Sequence, residues 1–568
     1  MESSGGLSLV WDLVLVLTIG LLGGILARRL KLPSLVGFIL AGFIFGNLLS
    51  GFFPLRPWVL GLAQIGVALL MFLLGLELSL KKFVSLPKVT IWAALIQILS
   101  TILVGLLILP RFGFDFYTSL FLGSCFSLSS TAVVVKLLEE RGELSTLQGE
   151  LMVTFLLVQD LAVLAMLIIL PQVGHFEGDF INLVKELSFG LLKGGALLTL
   201  AVFAGKKFLP ILVDKLALFS SRELLTLGIL TLCLLFAFLT YSLGLSFVFG
   251  AFLAGLLVSS TVETHAIFSE IRPLRDIFSV IFFVSLGFLL PFSFLPQNLV
   301  PILTLTIFFA GFKVLIIFIL LLSLGFHSRA SFIASLGLFQ VGEFSFVLGT
   351  MGKSLNLISA DTYSLILFIT LLTMFLTPFA LSLANKIYFI IKDRLPIFNR
   401  LDQRMVVEEL PISGHIVLCG FGRVGSYVGR ALEMAEVPLV VIDYNRLKVG
   451  FLAKRGINVI FGDPCQMPVL KAAKVETASF LILAIPDRFT QEMVIVASQT
   501  LNPKIKIICR THFEADQKRL KSLGVETVIQ PEFEAALSMV RKIFQVKGWS
   551  DEEISAKIGR LKIEHGLG

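Results

Sequence analysis

Leu147 to Leu170 reads LQGELMVTFLLVQDLAVLAMLIIL. A run of about twenty apolar residues is long enough to cross a bilayer. This run holds one carboxylate at its middle, Asp160, with Gln159 beside it and apolar residues on both sides. A carboxylate at that depth is costly to place and marks a functional position. The rest of the chain reads as structure that surrounds, opens or regulates this acid.

Working outward, the chain has 568 residues, 56% of them hydrophobic and only 15% charged, with a mean hydropathy of +0.93. A soluble domain carries about 25% charged residues. The apolar excess lies in blocks before about residue 390, and an ordinary soluble α/β sequence follows. Two parts are expected: an all-α polytopic membrane domain over residues 1–390 and, after a linker at 391–413, a Rossmann-type domain over 414–546, with a charged, poorly packed tail over 547–568. The net charge of +8 is no nucleic-acid footprint, because the Lys and Arg residues fall at helix ends. Five cysteines without CxxC spacing suit a reducing compartment and no metal site. The N-terminus lacks a basic leader, so its first apolar segment reads as a retained helix.

Thirteen apolar segments are expected, at 8–27, 33–49, 58–78, 89–110, 117–138, 147–171, 184–206, 222–241, 245–260, 275–290, 300–323, 330–351 and 358–384. Positive charge gathers in alternate loops: Arg28, Arg29 and Lys31; Lys81, Lys82 and Lys88; Lys136 and Arg141; Lys206, Lys207, Lys215 and Arg222; Arg272 and Arg275; Arg329; then Lys386, Lys392 and Arg394. This asymmetry predicts an outside N-terminus and a cytoplasmic C-terminus. Gly37-x-x-Leu40-Ala41-Gly42 recurs as Gly250-x-x-Leu253-Ala254-Gly255 at an offset of 213, and Leu74-Gly75 recurs as Leu286-Gly287 at an offset of 212. Adding 212 to each of the first six segments lands on each of the last six, leaving the seventh as a linker. A shift of seven spans inverts the second copy, giving a 6+6 inverted repeat, the architecture of secondary transporters with a site at midplane.

The fifth segment contains Ser127-Leu128-Ser129-Ser130-Thr131 and the twelfth contains Phe339-Gln340-Val341-Gly342-Glu343. Ser and Thr side chains compete for backbone hydrogen bonds and tolerate a broken helix. Two interrupted segments at matching repeat positions, with Thr131 and Glu343 in equivalent places, point to crossed broken helices around an ion site. Lys313 lies in mid-segment, too deep to reach either edge, and requires an acidic or carbonyl partner.

In the soluble part, the strand-like His415-Ile416-Val417-Leu418-Cys419 runs into Gly420-Phe421-Gly422-Arg423-Val424-Gly425 and a helical pattern. A second strand, 439–442, ends at Asp443, and later strands are expected at 457–461, 479–485 and 504–510, with Gly462-Asp463 closing the first of these. Glycines before a helix, with an acid ending the next strand, form a dinucleotide fingerprint. Gly420, Gly422, Arg423 and Gly425 would hold phosphate, and Asp443 the ribose hydroxyls, with Asp463 nearby. The acid disfavours a 2′-phosphate, so AMP or NAD(H) is expected rather than NADP.

Taken together, the QD of the sixth segment, the SLSSTAVVV before it, the GEFSFVL of the twelfth and the attached GxGxxG domain resemble the Kef-type potassium:proton antiporters of the monovalent cation:proton antiporter-2 family. The resemblance spans residues 8 to about 546. It implies a thirteen-helix exchanger in a bacterial inner membrane, a homodimer, and a cytoplasmic nucleotide-binding regulatory domain. It implies that Asp160 is a shared cation and proton site, with Gln159 and Thr131 beside it and Lys313 structuring it; Ser130 and Glu343, in the two interrupted segments, are expected to complete the ion site. The glutathione-gating loop of the family is matched only in part: residues 265–272 have Arg272 where a second acid is expected. A desolvated acid must be neutralised by a proton or a cation, and one acid predicts electroneutral, one-for-one exchange. The alternatives are a sodium:proton antiporter with the same site, a regulated channel, for which no carbonyl-filter motif is present, and a membrane dehydrogenase, for which no general acid follows Asp443.

Overall fold

The computed structural model describes residues 4–30, 32–49, 57–77, 88–144, 146–173, 222–242, 246–259, 261, 264–394, 412–512 and 515–564. The expected seventh segment, most of the linker, and Lys31, Lys81, Lys82, Lys206, Lys207 and Lys215 lie outside these residues. The chain forms two units: Met1–Val134 with Met152–Ile317 and Ser335–Ser382, and Val135–Leu151 with Phe318–Ala334 and Leu383–Gly568.

The helices before the soluble domain come in two matching series. The first is α1 (Ser4–Arg29), α2 (Ser34–Leu49), α3 (Pro57–Glu77), α4 (Lys88–Ile108), α5 (Phe116–Ser127), α6 (Thr131–Arg141) and α7 (Leu147–Val173). The second is α8 (Arg222–Ser242), α9 (Phe247–Val258), α10 (Thr264–Phe288), α11 (Phe294–Ser323), α12 (Ser328–Gly337), α13 (Phe344–Ser354) and α14 (Ala360–Arg394). Shifted by 212, each element of the first series falls on its counterpart in the second. Seven of the described helical stretches are long and apolar enough to cross a membrane. One expectation needs correction: the loop at 265–272 is helical, because α10 begins at Thr264.

The repeated glycines explain how the two series pack. In the first unit α2 packs against α10, and α3 against α9. A Cβ at Gly42 would strike the carbonyl of Val284, and one at Gly287 the carbonyl of Ile39. In the equivalent pair, Gly255 faces the carbonyl of Phe72 and Gly75 that of Phe252. Small residues let helix backbones approach closely where no hydrophobic force separates helix from lipid. The same motif therefore makes the same crossing twice, each time between one helix of each repeat. The repeat mates α1 and α8, and α4 and α11, expose large apolar side chains such as Trp11, Phe238, Trp92 and Ile307, as lipid-facing helices do.

In the second unit, β1 (Ile416–Cys419), β2 (Leu439–Asp443), β3 (Asn458–Phe461), β4 (Phe480–Leu483), β5 (Lys506–Arg510) and β6 (Thr527–Ile529) form one parallel sheet in the order β3-β2-β1-β4-β5-β6. Their runs of Val, Ile and Leu are buried on both faces, as a parallel sheet requires. Strand β6 is too short to have shown as a periodic run. Between and after the strands lie α15 (Arg423–Met434), α16 (Arg446–Lys454), α17 (Met467–Ala472), α18 (Arg488–Leu501), α19 (Ala515–Ser522), α20 (Pro531–Val546) and α21 (Asp551–Glu564). The last corrects the expected loose tail. Ile554 and Ile558, four residues apart, give α21 an apolar stripe that buries against Leu537, Phe533 and Phe544.

Candidate functional site

Both expected breaks are present. Helix α5 stops at Ser127, where Leu128 turns extended, and α6 restarts at Thr131; α12 stops at Gly337 and α13 restarts at Phe344. The breaks meet: the Gly342 amide donates to the Leu128 carbonyl at 3.2 Å, and Ser129 Oγ donates to the Leu338 carbonyl at 2.7 Å. A Cβ at Gly342 would sit within 3 Å of the Ser129 carbonyl, so only glycine allows the backbones this close.

Lys313, on α11, is fully buried and ties the breaks together. Its ammonium donates to the carbonyls of Leu128 and Gln340, both at 2.8 Å, and to Ser129 Oγ at 3.0 Å. Leu128 and Gln340 are 212 residues apart, so one cation spans two symmetry-equivalent carbonyls. The partners expected of Lys313 are therefore carbonyls. The equivalent amides are treated alike: Ser129 N donates to Gln159 Oε1 at 2.8 Å and Val341 N to Thr373 Oγ1 at 3.0 Å. Breaking a helix frees backbone groups that lipid cannot satisfy, and side chains from neighbouring helices satisfy them here.

Asp160 is only 3% exposed, and Thr131 Oγ1 donates to its Oδ2 at 2.9 Å. The hydroxyl that begins α6 thus meets the acid of α7. Gln159 is differently employed than its sequence position suggested. While its Oε1 accepts from Ser129, its Nε2 donates to Gln97 Oε1 at 2.7 Å, so it braces the break. Gln97 in turn donates to the Ser127 carbonyl at 3.0 Å and to Thr101 at 3.2 Å. The sequence reading missed Gln97, Thr101 and Thr373; a Gln buried in an apolar helix was the available signal. Ser130 and Glu343 come together: the buried Glu343 carboxyl lies beside the Ser130 side chain and the Ala132 amide at the start of α6. Asp160, Thr131, Ser130, Gln159, Glu343 and Lys313 all belong to the first unit. Chemically, a buried carboxylate such as Asp160 can hold either a proton or a cation.

In the second unit, Gly420 follows β1 with φ +91°, a left-handed conformation suited to glycine. Its N–H donates to the Ile442 carbonyl at 2.8 Å. Gly425 is packed against the Gly420 carbonyl, while the space beside Gly422, at the start of α15, is open. Helix N–H groups there can receive phosphate. The Asp443 carboxylate accepts from Phe421 N and Asn445 N, each at 2.7 Å, and so fixes the glycine loop against β2. Arg423 is exposed at the first turn of α15. Asp463, expected beside the nucleotide, is fully buried, and its carboxylate is engaged by Arg329 and the Cys465 amide.

The chain matches the family described as sodium/hydrogen exchanger, transmembrane, over residues 14–384, and the TrkA-N domain over residues 416–531. A relative from Escherichia coli (strain K12), assigned as cation/proton antiporter YbaL, is 32% identical over 541 residues, covering 94% of this chain and 96% of the relative. A second, from Alkalimonas amylolytica and assigned as K(+) efflux antiporter KefB, is 28% identical over 526 residues, covering 91% of this chain and 78% of the relative. Among solved structures, the sodium proton antiporter MjNhaP1 from Methanocaldococcus jannaschii aligns with 66% of this chain and 98% of its own, at 17% identity and a TM-score of 0.51. That last likeness bears on the fold alone.

Proposed function

This chain belongs to the sodium/hydrogen exchanger family and is a cation/proton antiporter with a TrkA-N regulatory domain; from that premise we propose that it exchanges potassium for protons, one for one, through Asp160. The observation that carries this reading is the 2.9 Å bond from Thr131 to a carboxylate buried beside the meeting of two broken helices. Removing an acid from water disfavours its bare charge. Asp160 then holds either a proton or a cation, and each excludes the other. Thr131, the first residue of α6, orients the carboxylate. Lys313 keeps the two breaks joined and leaves the acid as the exchangeable group. Potassium as the cation is supported by the relative assigned to K(+) efflux, and one-for-one exchange by Asp160 of α7 being the carboxylate that meets Thr131, while the buried Glu343 carboxyl is held at Ser130 and the Ala132 amide.

In the soluble domain, the open space beside Gly422 and the acid at Asp443 fit AMP or NAD(H), which would regulate transport from the cytoplasmic face. The protein works as a homodimer in this reading. The test is proton flux in proteoliposomes against imposed gradients of potassium, rubidium, sodium and lithium in turn. Potassium and rubidium should drive proton movement in the wild type and none should in Asp160→Asn; wild-type activity in that variant would reject the assignment, and sodium-driven flux would reject potassium.

A further inference from the structure

Arg329, which engages Asp463, is the second residue of α12. Within the second unit its guanidinium is almost fully enclosed. Nη1 donates to both oxygens of Asp463, at 3.1 and 3.2 Å, and to Cys465 Sγ at 3.1 Å. Nη2 donates to Asp487 Oδ2 at 3.3 Å, to Thr490 Oγ1 at 3.0 Å and to Asn385 Oδ1 at 2.8 Å. Nε donates to the same Asn385 oxygen at 3.0 Å, and the rings of Phe389 and Phe489 lie 5.5 Å from Cζ. A planar fork with five donors is the side chain suited to such a socket. Burial opposes both charges, yet Arg329, His327 and the Cys465 amide hold the Asp463 carboxyl below its usual range.

The socket joins two pieces of machinery already described. Asp463 and Asp487 follow β3 and β4, at the carboxyl ends of parallel strands, the edge where such sheets bind nucleotide. Gly462, next to Asp463, donates its N–H to the carbonyl of Asp443 at 3.2 Å. One hydrogen bond thus separates the ribose-binding acid from the residue that grips Arg329. In the other direction, Arg329 belongs to α12, which ends at Gly337; Leu338 and Gln340, just beyond, supply carbonyls to Ser129 and Lys313.

We propose that Arg329 is the coupling residue of the antiporter: the nucleotide-binding sheet grips it through Asp463 and Asp487, and occupancy of the glycine loop changes that grip and hence the seating of α12 at the broken-helix crossing. It is a positioning residue, touching neither ion nor nucleotide. The proposal rests on the regulatory reading above. Coupling of this kind is reciprocal, so an ion that acts on nucleotide binding must be acted on in return.

The experiment uses the full-length protein with AMP and NAD+ as separate probes. In the wild type, the effective probe should change potassium-driven proton flux, and potassium should change the affinity for that probe. In Arg329→Gln, basal flux and probe binding should persist, while each ligand's effect on the other falls to within error of zero. Arg329→Lys, which keeps the charge but loses the fork, should retain only part of the effect. Undiminished mutual response in Arg329→Gln would overturn the proposal. A wild type without potassium-driven flux would instead reject the transport reading, which separates the two failures. Should the variants not fold, hydrogen exchange in the wild type decides: the probe should alter protection across residues 328–340, and unchanged protection there would overturn the proposal.

Discussion

Lys313 illustrates how one side chain can carry a fold. Its ammonium meets two carbonyls and a hydroxyl where the two broken helices cross. A hydrogen bond to a charged group contributes about 1.5–3 kcal/mol. Lys313→Met should therefore destabilise the membrane domain by at least about 3 kcal/mol, seen as a lower thermal midpoint in detergent with flux lost, while nucleotide binding survives. Glu143 gives a pH prediction. Burial first, then Asp487, push its carboxyl up to about 7, against Arg141, Arg329 and the bond from Gln148. The folded value lies above the unfolded one, so the folded protein binds more protons between roughly pH 4.3 and about 7. Stability from this group is complete below that window and is lost as pH rises through it. Glu143→Gln should raise the thermal midpoint more at pH 8 than at pH 5; an equal gain at both would contradict the shift. At this scale the sequence revealed charge but not partnership. Asp160 and Lys313 were legible because a charge in an apolar run is costly. Arg329 looked like one more cytoplasmic cation, because its carboxylates lie 134 and 158 residues away in the chain.

Among the elements, the repeat and its breaks were the most legible feature. Glycine spacing survives in the sequence because no other residue fits where two backbones touch. Gly255 makes that testable. A methyl there meets the Phe72 carbonyl, and backbone cannot move aside as a flexible side chain can. Overpacking of this kind costs about 1–3 kcal/mol. Gly255→Ala should lower the thermal midpoint, and Gly42→Ala should match it, since the two occupy equivalent crossings; a harmless Gly42→Ala beside a damaging Gly255→Ala would argue against the repeat. The braces were harder to see. Gln97 and Thr373 act on amides that become free only once the helices break, which no periodicity encodes. Helix α21 was hidden by its charge, although Ile554 and Ile558 lay at helical spacing.

For the whole molecule, exchange through one carboxylate carries one charge each way and moves none in sum. An uncompensated charge crossing the membrane would feel about 2.3 kcal/mol per 100 mV. Flux should thus be unchanged when the membrane potential is clamped at different values, and a steep dependence would require a second charge in the cycle. The claim beneath all of this is competition at Asp160. It is tested most directly by adding potassium to the purified protein in weakly buffered solution and measuring proton release together with ion binding. The account predicts one proton released for each potassium bound in the wild type, and neither binding nor release in Asp160→Asn. Potassium bound without proton release in the wild type, or release persisting in Asp160→Asn, would contradict it.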